Sequence, residues 1–451
     1  MLAKTDENGD VVRGKYKVIV GLGETGYSVA RYFLSTGTQF KVLDNNTAPS
    51  RLHDLQALSP EMELHGIDPE LLLGADEIIV SPGVPLSLPE LQQALKEKLK
   101  ISGDVAMFGE LARAPVIGIT GSNGKSTVTS MVGALSRAQI ADVEVAGNIG
   151  TPCLDVLDNA VKLYVLEVSS YQLELATALP LKVAALLNLS PDHLDRYRTE
   201  QDYYTTKGNI YNNCEIAVVN RSVKFQFDIK AETIISFGTD QPGNALHFGV
   251  TENAGELILV QGKEELLKAG ELSIGGEHNI QNVLAALAIG HAADLVMEDM
   301  VDEIKKYKGL PHRCERLGIF NGVSYVNDSK ATNIGASISA VEGFGGRGGL
   351  ILILGGEGKG ADFSLLVTVL ERYVKKVFVF GQDQEQIKAA VQQVVSVESC
   401  SRFEDVIDSV VNAAVPGDTV LFSPACASFD MFENYENRGN EFKRILMEKI
   451  Q

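Results

Sequence analysis

Short apolar runs alternate with amphipathic stretches along most of the chain, the pattern of buried parallel strands joined by helical crossovers. Residues 15–21 (KYKVIVG) predict a first strand, followed by a glycine turn and a helix through Phe33. A second strand over 39–43 ends at Asp44, and a third over 77–80 stops at Ser81-Pro82-Gly83. The pattern resumes at 115 with a buried run, a second glycine turn and an amphipathic helix over 128–137, then strands over 163–168 and 183–188. Between 214 and 275 the signals shorten to strands such as IAVVN, TIISFG and ELILV, and an apolar helix opens over 281–290. Past Gly309-Leu310-Pro311, buried strands are predicted over 323–326, 350–354, 376–380 and 419–422. The expected fold is α/β in three domains: a Rossmann-like unit over 1–111, a central phosphate-loop unit over 112–309 and a second Rossmann-like unit over 310–451.

Both glycine turns carry chemistry. Residues 115–127 read PVIGITGSNGKST, a strand running through glycines into Lys125, Ser126 and Thr127 at the head of a helix. Such a turn lets backbone N–H groups and a helix N-terminus face phosphate oxygens, while a lysine neutralises charge and a hydroxyl reaches a magnesium ion. The spacing departs from G-x-x-x-x-G-K-[ST], since Ile119 stands where the first glycine belongs and Gly118 and Gly121 flank it. A plain strand-to-helix turn is the competing reading, and the G-K-S-T run weighs against it. The earlier turn, Gly21-Leu22-Gly23-Glu24-Thr25-Gly26 with Asp44 about 20 positions on, has the dinucleotide-binding spacing. Taken alone it leaves close strand–helix packing open.

Composition narrows the partners. A net charge of −19, from 59 acidic against 40 basic residues, argues against nucleic acid or an anionic membrane surface as the main partner. It leaves ATP open, because charges beyond a Debye length of about 8 Å are screened and local cations decide. Cys153, Cys214, Cys314, Cys400 and Cys426 are odd in number, widely spaced and set among apolar residues, which predicts reduced thiols rather than disulfides or a metal site. No apolar run approaches the ~20 residues of a spanning helix, and the polar start KTDENGD is unlike a signal peptide. A cytoplasmic protein without membrane insertion is expected.

The motifs taken together resemble the Mur ligase family. GLGETG, SPGVP, ITGSNGKST, AGNIGTP, LEVSSYQLE, NLSPDHLDRY, GEHNIQNVLAALA, LPHRCE, YVNDSKATN, ILGGEGKGADF and a final SPACASFD…NRGNEF run appear in family order across nearly the whole chain. The final run is similar to the family's D-glutamate-adding branch. The resemblance implies an ATP-dependent amide ligase that adds D-glutamate to UDP-N-acetylmuramoyl-L-alanine through an acyl phosphate, in cytoplasmic peptidoglycan synthesis. It also implies two Mg²⁺ sites, and a monomer is expected.

The resemblance implies roles residue by residue. Gly121, Ser122, Asn123, Gly124, Lys125, Ser126 and Thr127 would cradle the ATP phosphates, with Asn279 and Asn282 beside the adenine and Arg313, Asp328 and Lys330 as further nucleotide contacts. Capping alone would also account for an asparagine at a helix start. Ser126 and Glu167 would hold the first Mg²⁺, His193 and Lys207 the second, and Lys125, Glu167, His193 and Lys207 make up the catalytic set. An ammonium cannot ligate Mg²⁺, so Lys207 is expected as a carbamate, whose formation needs the neutral amine of a group that titrates near 10.4. Gly23, Thr25, Gly26, Asp44, Asn45, Gly83 and Asn148 would contact the UDP-linked substrate. Thr332, Lys359, Ser428 and Phe429 would form the D-glutamate pocket. Two other classes stay open from single parts of the chain: a nicotinamide oxidoreductase from the first domain, and a phosphate-loop regulator from the second.

Overall fold

A computed structural model of the protein describes residues 16–193, 196–274, 276–346 and 349–450. The polar leader, Leu194 and Asp195 of the DHLDR motif, and Gly275 lie outside the described residues. Two compact units emerge. The first combines the chain up to Leu189 with His193–Phe237 and Ala286–Met300, and the second combines Ser190–Asp192, Gly238–Ala285 and the chain from Val301 onward.

The first unit holds two parallel arrays. Strands β1 (Lys17–Val20), β2 (Phe40–Leu43), β3 (Leu64–His65), β4 (Glu77–Val80) and β5 (Lys100–Ser102) form a sheet in the order β3-β2-β1-β4-β5. β1 is central, pairing Val18 with Lys41 on one side and with Ile78 on the other. KVIV and EIIV read as continuous apolar runs because helices cover both faces of such a sheet. The second array comprises β6 (Val116–Thr120), β7 (Val143–Gly147), β8 (Leu163–Glu167), β9 (Leu181–Leu186), β10 (Cys214–Asn220) and β11 (Thr233–Phe237). β6 lies between β8 and β9, placing Ile119 opposite Glu167 on one side and Ala185 on the other. The loop after β6 therefore leaves the carboxyl end of the sheet at its middle, where open α/β sheets bind ligands.

One apolar cluster joins the two arrays, running from Ile19, Val29 and Phe33 to Leu166, Leu173 and Leu186. The two sheets share a core rather than each burying its own. The outer face of the first sheet has a separate cluster around Val18, Val20, Ile78 and Leu91.

In the second unit, β12 (Phe248–Asn253), β13 (Glu256–Gln261) and β14 (Glu264–Lys268) make an antiparallel meander. The remaining strands, β15 (Glu315–Phe320), β16 (Val323–Asn327), β17 (Leu350–Gly355), β18 (Val374–Phe380), β19 (Ser396–Ser399) and β20 (Thr419–Phe422), form a sheet ordered β15-β16-β20-β17-β18-β19. It is parallel except for the β15–β16 hairpin. Leu352 and Leu421 pack into a cluster on one face, Ile353 and Phe422 into a cluster on the other.

The strands with continuous apolar character lie within a few residues of their predicted positions. β3 and β5 carried no such signal, being two and three residues long with charged or polar members. The helix expected over 128–137 begins earlier, at Lys125, because Gly124 caps it in left-handed backbone at φ 79° and the polar Lys-Ser-Thr forms its first turn.

Candidate active site

Asn188, just beyond β9, braces the loop that follows β6. Its carbonyl accepts the Ser122 N–H at 3.0 Å, its Oδ1 accepts the Asn123 N–H at 2.8 Å, and its Nδ2 donates to the Asn123 carbonyl at 3.0 Å. The loop is thereby held open at the N-terminus of the helix Lys125–Arg137, whose dipole favours an anion at that end. Lys125 folds back into it, donating from Nζ to the carbonyls of Gly121 at 2.9 Å and Ser122 at 3.0 Å. Ser122, Ser126 and Thr127 are all buried.

Glu167 ends β8 beside this loop with 2% of its surface exposed. Its Oε2 accepts from the Ser126 hydroxyl, and its Oε1 accepts from Asn148 Nδ2 at 2.6 Å. Asn148 is fixed in turn, since its N–H donates to the Glu167 carbonyl at 2.8 Å. A Cβ on the preceding Gly147 would stand 2.3 Å from that carbonyl oxygen, so only glycine allows the approach. Hydroxyl and carboxylate oxygens set side by side at a phosphate loop are the hard donors that Mg²⁺ prefers, and the pair fits it. Among the described residues no group of three or more His, Cys, Asp or Glu could hold a metal ion.

Lys207 comes from the helix Glu200–Gly208 and is 1% exposed. Its Nζ donates to the Gly121 carbonyl at 2.9 Å, the same oxygen that Lys125 reaches, and lies 4.9 Å from the centre of the Tyr203 ring. A carbamate at this nitrogen keeps one N–H for Gly121 and adds two hard oxygens, so the position suits that group. Tyr203 meets the loop as well, its hydroxyl 3.1 Å from Ser122 Oγ. His193 is exposed and in left-handed backbone at φ 55°; its Nδ1 is 2.8 Å from the Tyr171 hydroxyl and its ring stands edge-on to Tyr203 at 6.0 Å. Imidazole is a softer donor than Mg²⁺ favours. A role for His193 there depends on the oxygens around it.

The crevice of the first sheet is built around Gly26, where a Cβ would sit 1.9 Å from the Gly21 carbonyl oxygen. The helix Glu24–Thr36 starts inside the turn, with Gly23 as its N-cap. Asp44 closes the turn, its Oδ2 accepting the Leu22 N–H and its Oδ1 the Asn46 N–H, each at 2.8 Å. Glu24 is exposed and accepts from Arg51 Nε at 2.8 Å, which turns an acidic residue aside and brings in a cation that the motif did not indicate. Thr25 is half-buried, and Asn45 and Gly83 are exposed.

In the second unit, Asn279 and Asn282 lie in the opening turns of the helix Glu277–Ala292, 3.4 Å apart through Asn282 Nδ2 and Asn279 Oδ1. Asp328, just past β16, accepts from the Ser423 hydroxyl at 2.7 Å and the Cys314 N–H at 3.0 Å. Burial outweighs these bonds and pushes its carboxyl up to about 6. Half-buried Arg313 adjoins Cys314, while Lys330 Nζ lies over the Tyr435 ring at 3.7 Å. A two-way backbone bridge between Glu357 and Ala427 brings Lys359 toward Ser428 and Phe429. Exposed Lys359 Nζ then stands 5.5 Å from the Phe429 ring, Ser428 is buried, and Thr332 is exposed one residue beyond Ala331. The five cysteines are free thiols.

Sequence reasoning missed Asn188, Tyr203 and Arg438. Asn188 follows a strand end, a position that could have marked it, and Tyr203 precedes Lys207 by one helical turn. Arg438 entered only as part of the final NRGNEF run, and its burial was not foreseen, since an arginine with no exposed surface is rare.

A parallel sheet with a phosphate loop at its centre, an acidic residue on the adjacent strand end and a buried lysine behind mark a protein of the phosphate-loop, nucleotide-using class. Family descriptions match along the chain: "Mur ligase MurD-like, N-terminal domain" over 15–103, "Mur ligase middle domain" over 119–290 and "Mur ligase, glutamate ligase domain" over 312–426. The chain belongs to the Mur ligase family. It is 41% identical over 441 residues to the UDP-N-acetylmuramoylalanine--D-glutamate ligase of Marinobacter nauticus, covering 97% of this chain and 99% of that one. It is 42% identical over 439 residues to the enzyme of the same name from Hahella chejuensis, covering 96% and 98%. Among solved structures it shares its fold with a pseudomurein peptide ligase type C from Methanothermus fervidus (TM-score 0.62, 19% identity, 97% and 100% covered). The same holds for MurF ligase from Thermotoga maritima in complex with ADP (TM-score 0.61, 18% identity, 97% and 96% covered).

Proposed function

We propose that the chain is an ATP-dependent ligase that joins D-glutamate to UDP-N-acetylmuramoyl-L-alanine in cytoplasmic peptidoglycan synthesis, acting as a monomer. The observation that carries the reading is the meeting of Lys125, Ser126, Asn148, Glu167 and Lys207 at one phosphate loop. It occurs in a chain so similar, over nearly its full length, to ligases of that name. The domains run over 1–111, 112–309 and 310–451, for the UDP substrate, ATP and the amino acid respectively.

Each group has a task. The N–H groups of the loop and Lys125 hold the ATP phosphates, and Asn148 keeps Glu167 turned toward Ser126. The substrate carboxylate attacks the γ-phosphorus and displaces ADP. The amine of D-glutamate then attacks the acyl carbon and loses a proton, and the tetrahedral intermediate collapses to the amide with release of phosphate. Ser126 and Glu167, and at a second place His193 and a carbamate on Lys207, would hold Mg²⁺, which would supply neutralisation of the phosphate charge. Asn279, Asn282, Arg313, Asp328 and Lys330 serve the nucleotide. Thr332, Lys359, Ser428 and Phe429 receive D-glutamate, whose two carboxylates call for a cation and hydroxyl donors.

The test is phosphate release from ATP with UDP-N-acetylmuramoyl-L-alanine and, in turn, D-glutamate, L-glutamate, meso-diaminopimelate or L-lysine. Strict dependence on D-glutamate, abolished in Lys125→Ala, is expected. Release with another of these amino acids moves the chain to a sister ligase, and release without any of them overturns the reading.

A further inference from the structure

The glycine turn of the first sheet and the segment carrying His193 are joined by an unbroken set of contacts within the first unit. Ser81 Oγ donates to the Gly21 carbonyl at 2.7 Å. The next residue, Pro82, offers its own carbonyl to Arg196 Nη1 at 3.2 Å. The other edge of that guanidinium grips Glu174 through Nε at 3.3 Å and Nη2 at 2.7 Å, and the two side chains are only 11% and 14% exposed. Its central carbon lies over the Tyr171 ring, 4.5 Å from the ring centre, and the Tyr171 hydroxyl meets His193 Nδ1 at 2.8 Å. The Arg196 N–H closes the set by donating to the His193 carbonyl at 3.0 Å.

Only a rigid fork can do all of this at once. A guanidinium presents donors on two edges and a stacking face, whereas an ammonium is a point donor. With Glu174 fixing one edge, the guanidinium both reaches Pro82 and sits over the Tyr171 ring. His193 stands in left-handed backbone at φ 55°, uncommon outside glycine, so these contacts hold it there. Tyr171 and Arg196 were not among the expected site residues.

We propose that Arg196, acting with Tyr171, is a positioning residue that couples occupation of the UDP-substrate seat at the 21–26 turn to the placement of His193 beside the phosphate loop. A substrate that settles on the 81–83 segment fixes Pro82, and through Arg196 and Tyr171 it fixes the imidazole. Coupling between two sites is reciprocal, so the nucleotide with its metal must tighten the UDP substrate by the same factor. The proposal rests on the ligase reading above.

The experiment is calorimetric titration of UDP-N-acetylmuramoyl-L-alanine into the whole protein, alone and with Mg²⁺ plus a non-hydrolysable ATP analogue. It compares the wild type with Arg196→Lys, which keeps a charge for Glu174, and Tyr171→Phe, which keeps the ring. In the wild type the analogue is expected to tighten the UDP substrate by about fivefold or more, the lower end of ordinary allosteric coupling. In both variants the ratio should fall below about twofold while the affinity without analogue stays within about threefold of wild type. A wild-type ratio near one, or a ratio retained in either variant, overturns the coupling. A variant that loses affinity for the UDP substrate alone marks these residues as plain scaffold and also overturns it. Failure of the wild type to bind the UDP substrate at all removes the ligase reading, and the proposal with it.

Discussion

Arg438 offers a test whose size can be worked from the geometry. It is wholly buried, and its guanidinium donates to the Ser329 carbonyl at 2.7 Å, the Ser329 hydroxyl at 3.0 Å, and the carbonyls of Cys426 at 3.0 Å and Ala427 at 3.1 Å. Burial pulls its pKa down to about 10, yet it stays charged at neutral pH. These bonds tie the segment of Asp328 and Lys330 to the segment of Ser428 and Phe429. Arg438→Ala leaves the carbonyls of Ser329 and Cys426 without this donor, whereas Ala427 retains the Glu357 N–H at 3.1 Å. Two buried acceptors at roughly 1–3 kcal/mol each give about 4 kcal/mol of lost stability. For a unit of this size that is a fall of roughly 8–16 °C in the melting temperature. Arg438→Lys reaches one side of the tie and should lose about half as much. Differential scanning calorimetry reads the shift, and the KM for D-glutamate should rise in both variants. A melting temperature unchanged in Arg438→Ala would refute the account of this residue as a tie.

Three further outcomes are expected. Asn148→Ala removes the partner that orients Glu167, so the Mg²⁺ concentration for half-maximal activity should rise about 10- to 100-fold with little change in melting temperature, as a magnesium titration of the rate would show. Gly26→Ala places a Cβ against the Gly21 carbonyl and should cost about 1–3 kcal/mol together with affinity for the UDP substrate, read by urea denaturation and calorimetric titration. His278 is half-buried, yet both ring nitrogens are shielded and have no hydrogen-bond partner among the described residues, and desolvation lowers its pKa to about 4. Its folded value lies below the unfolded one, so the unfolded chain takes up the proton first. Stability from this site is full above about pH 6.5 and declines as pH falls toward 4; between pH 7 and pH 5 the loss is about 2 kcal/mol. Denaturation of wild type against His278→Phe at the two pH values checks it, and a difference that does not change with pH removes the assignment.

What the sequence revealed follows from where the signals are local. KVIV, EIIV, LILILG and TVLF read as strands because both faces are buried, and the G-K-S-T run could be placed on a helix start because glycine and phosphate chemistry are written in neighbouring residues. Glu167 could be singled out as an acidic residue at a predicted strand end, whereas Lys207 could be named only by resemblance; the company of Glu167 with Ser126 is a product of strand order, which sets β8 beside β6. Asn188, Tyr171, Arg196 and Arg438 are invisible to periodicity for a related reason. Their partners lie tens of residues away, and an arginine paired inside the fold looks in sequence like one in solvent. The shared core of the first two sheets was equally hidden, since apolar helix faces do not say against which sheet they pack.

The central claim is that the substrate's carboxylate takes the γ-phosphoryl group at the Lys125 loop before the amine attacks. UDP-N-acetylmuramoyl-L-alanine carrying ¹⁸O in both oxygens of its terminal carboxylate tests this directly, with the released phosphate analysed by mass spectrometry after reaction with ATP and D-glutamate. Transfer of one ¹⁸O into each phosphate, together with formation of the D-glutamyl amide, is the result predicted. Phosphate free of ¹⁸O alongside the same amide would contradict the acyl-phosphate route.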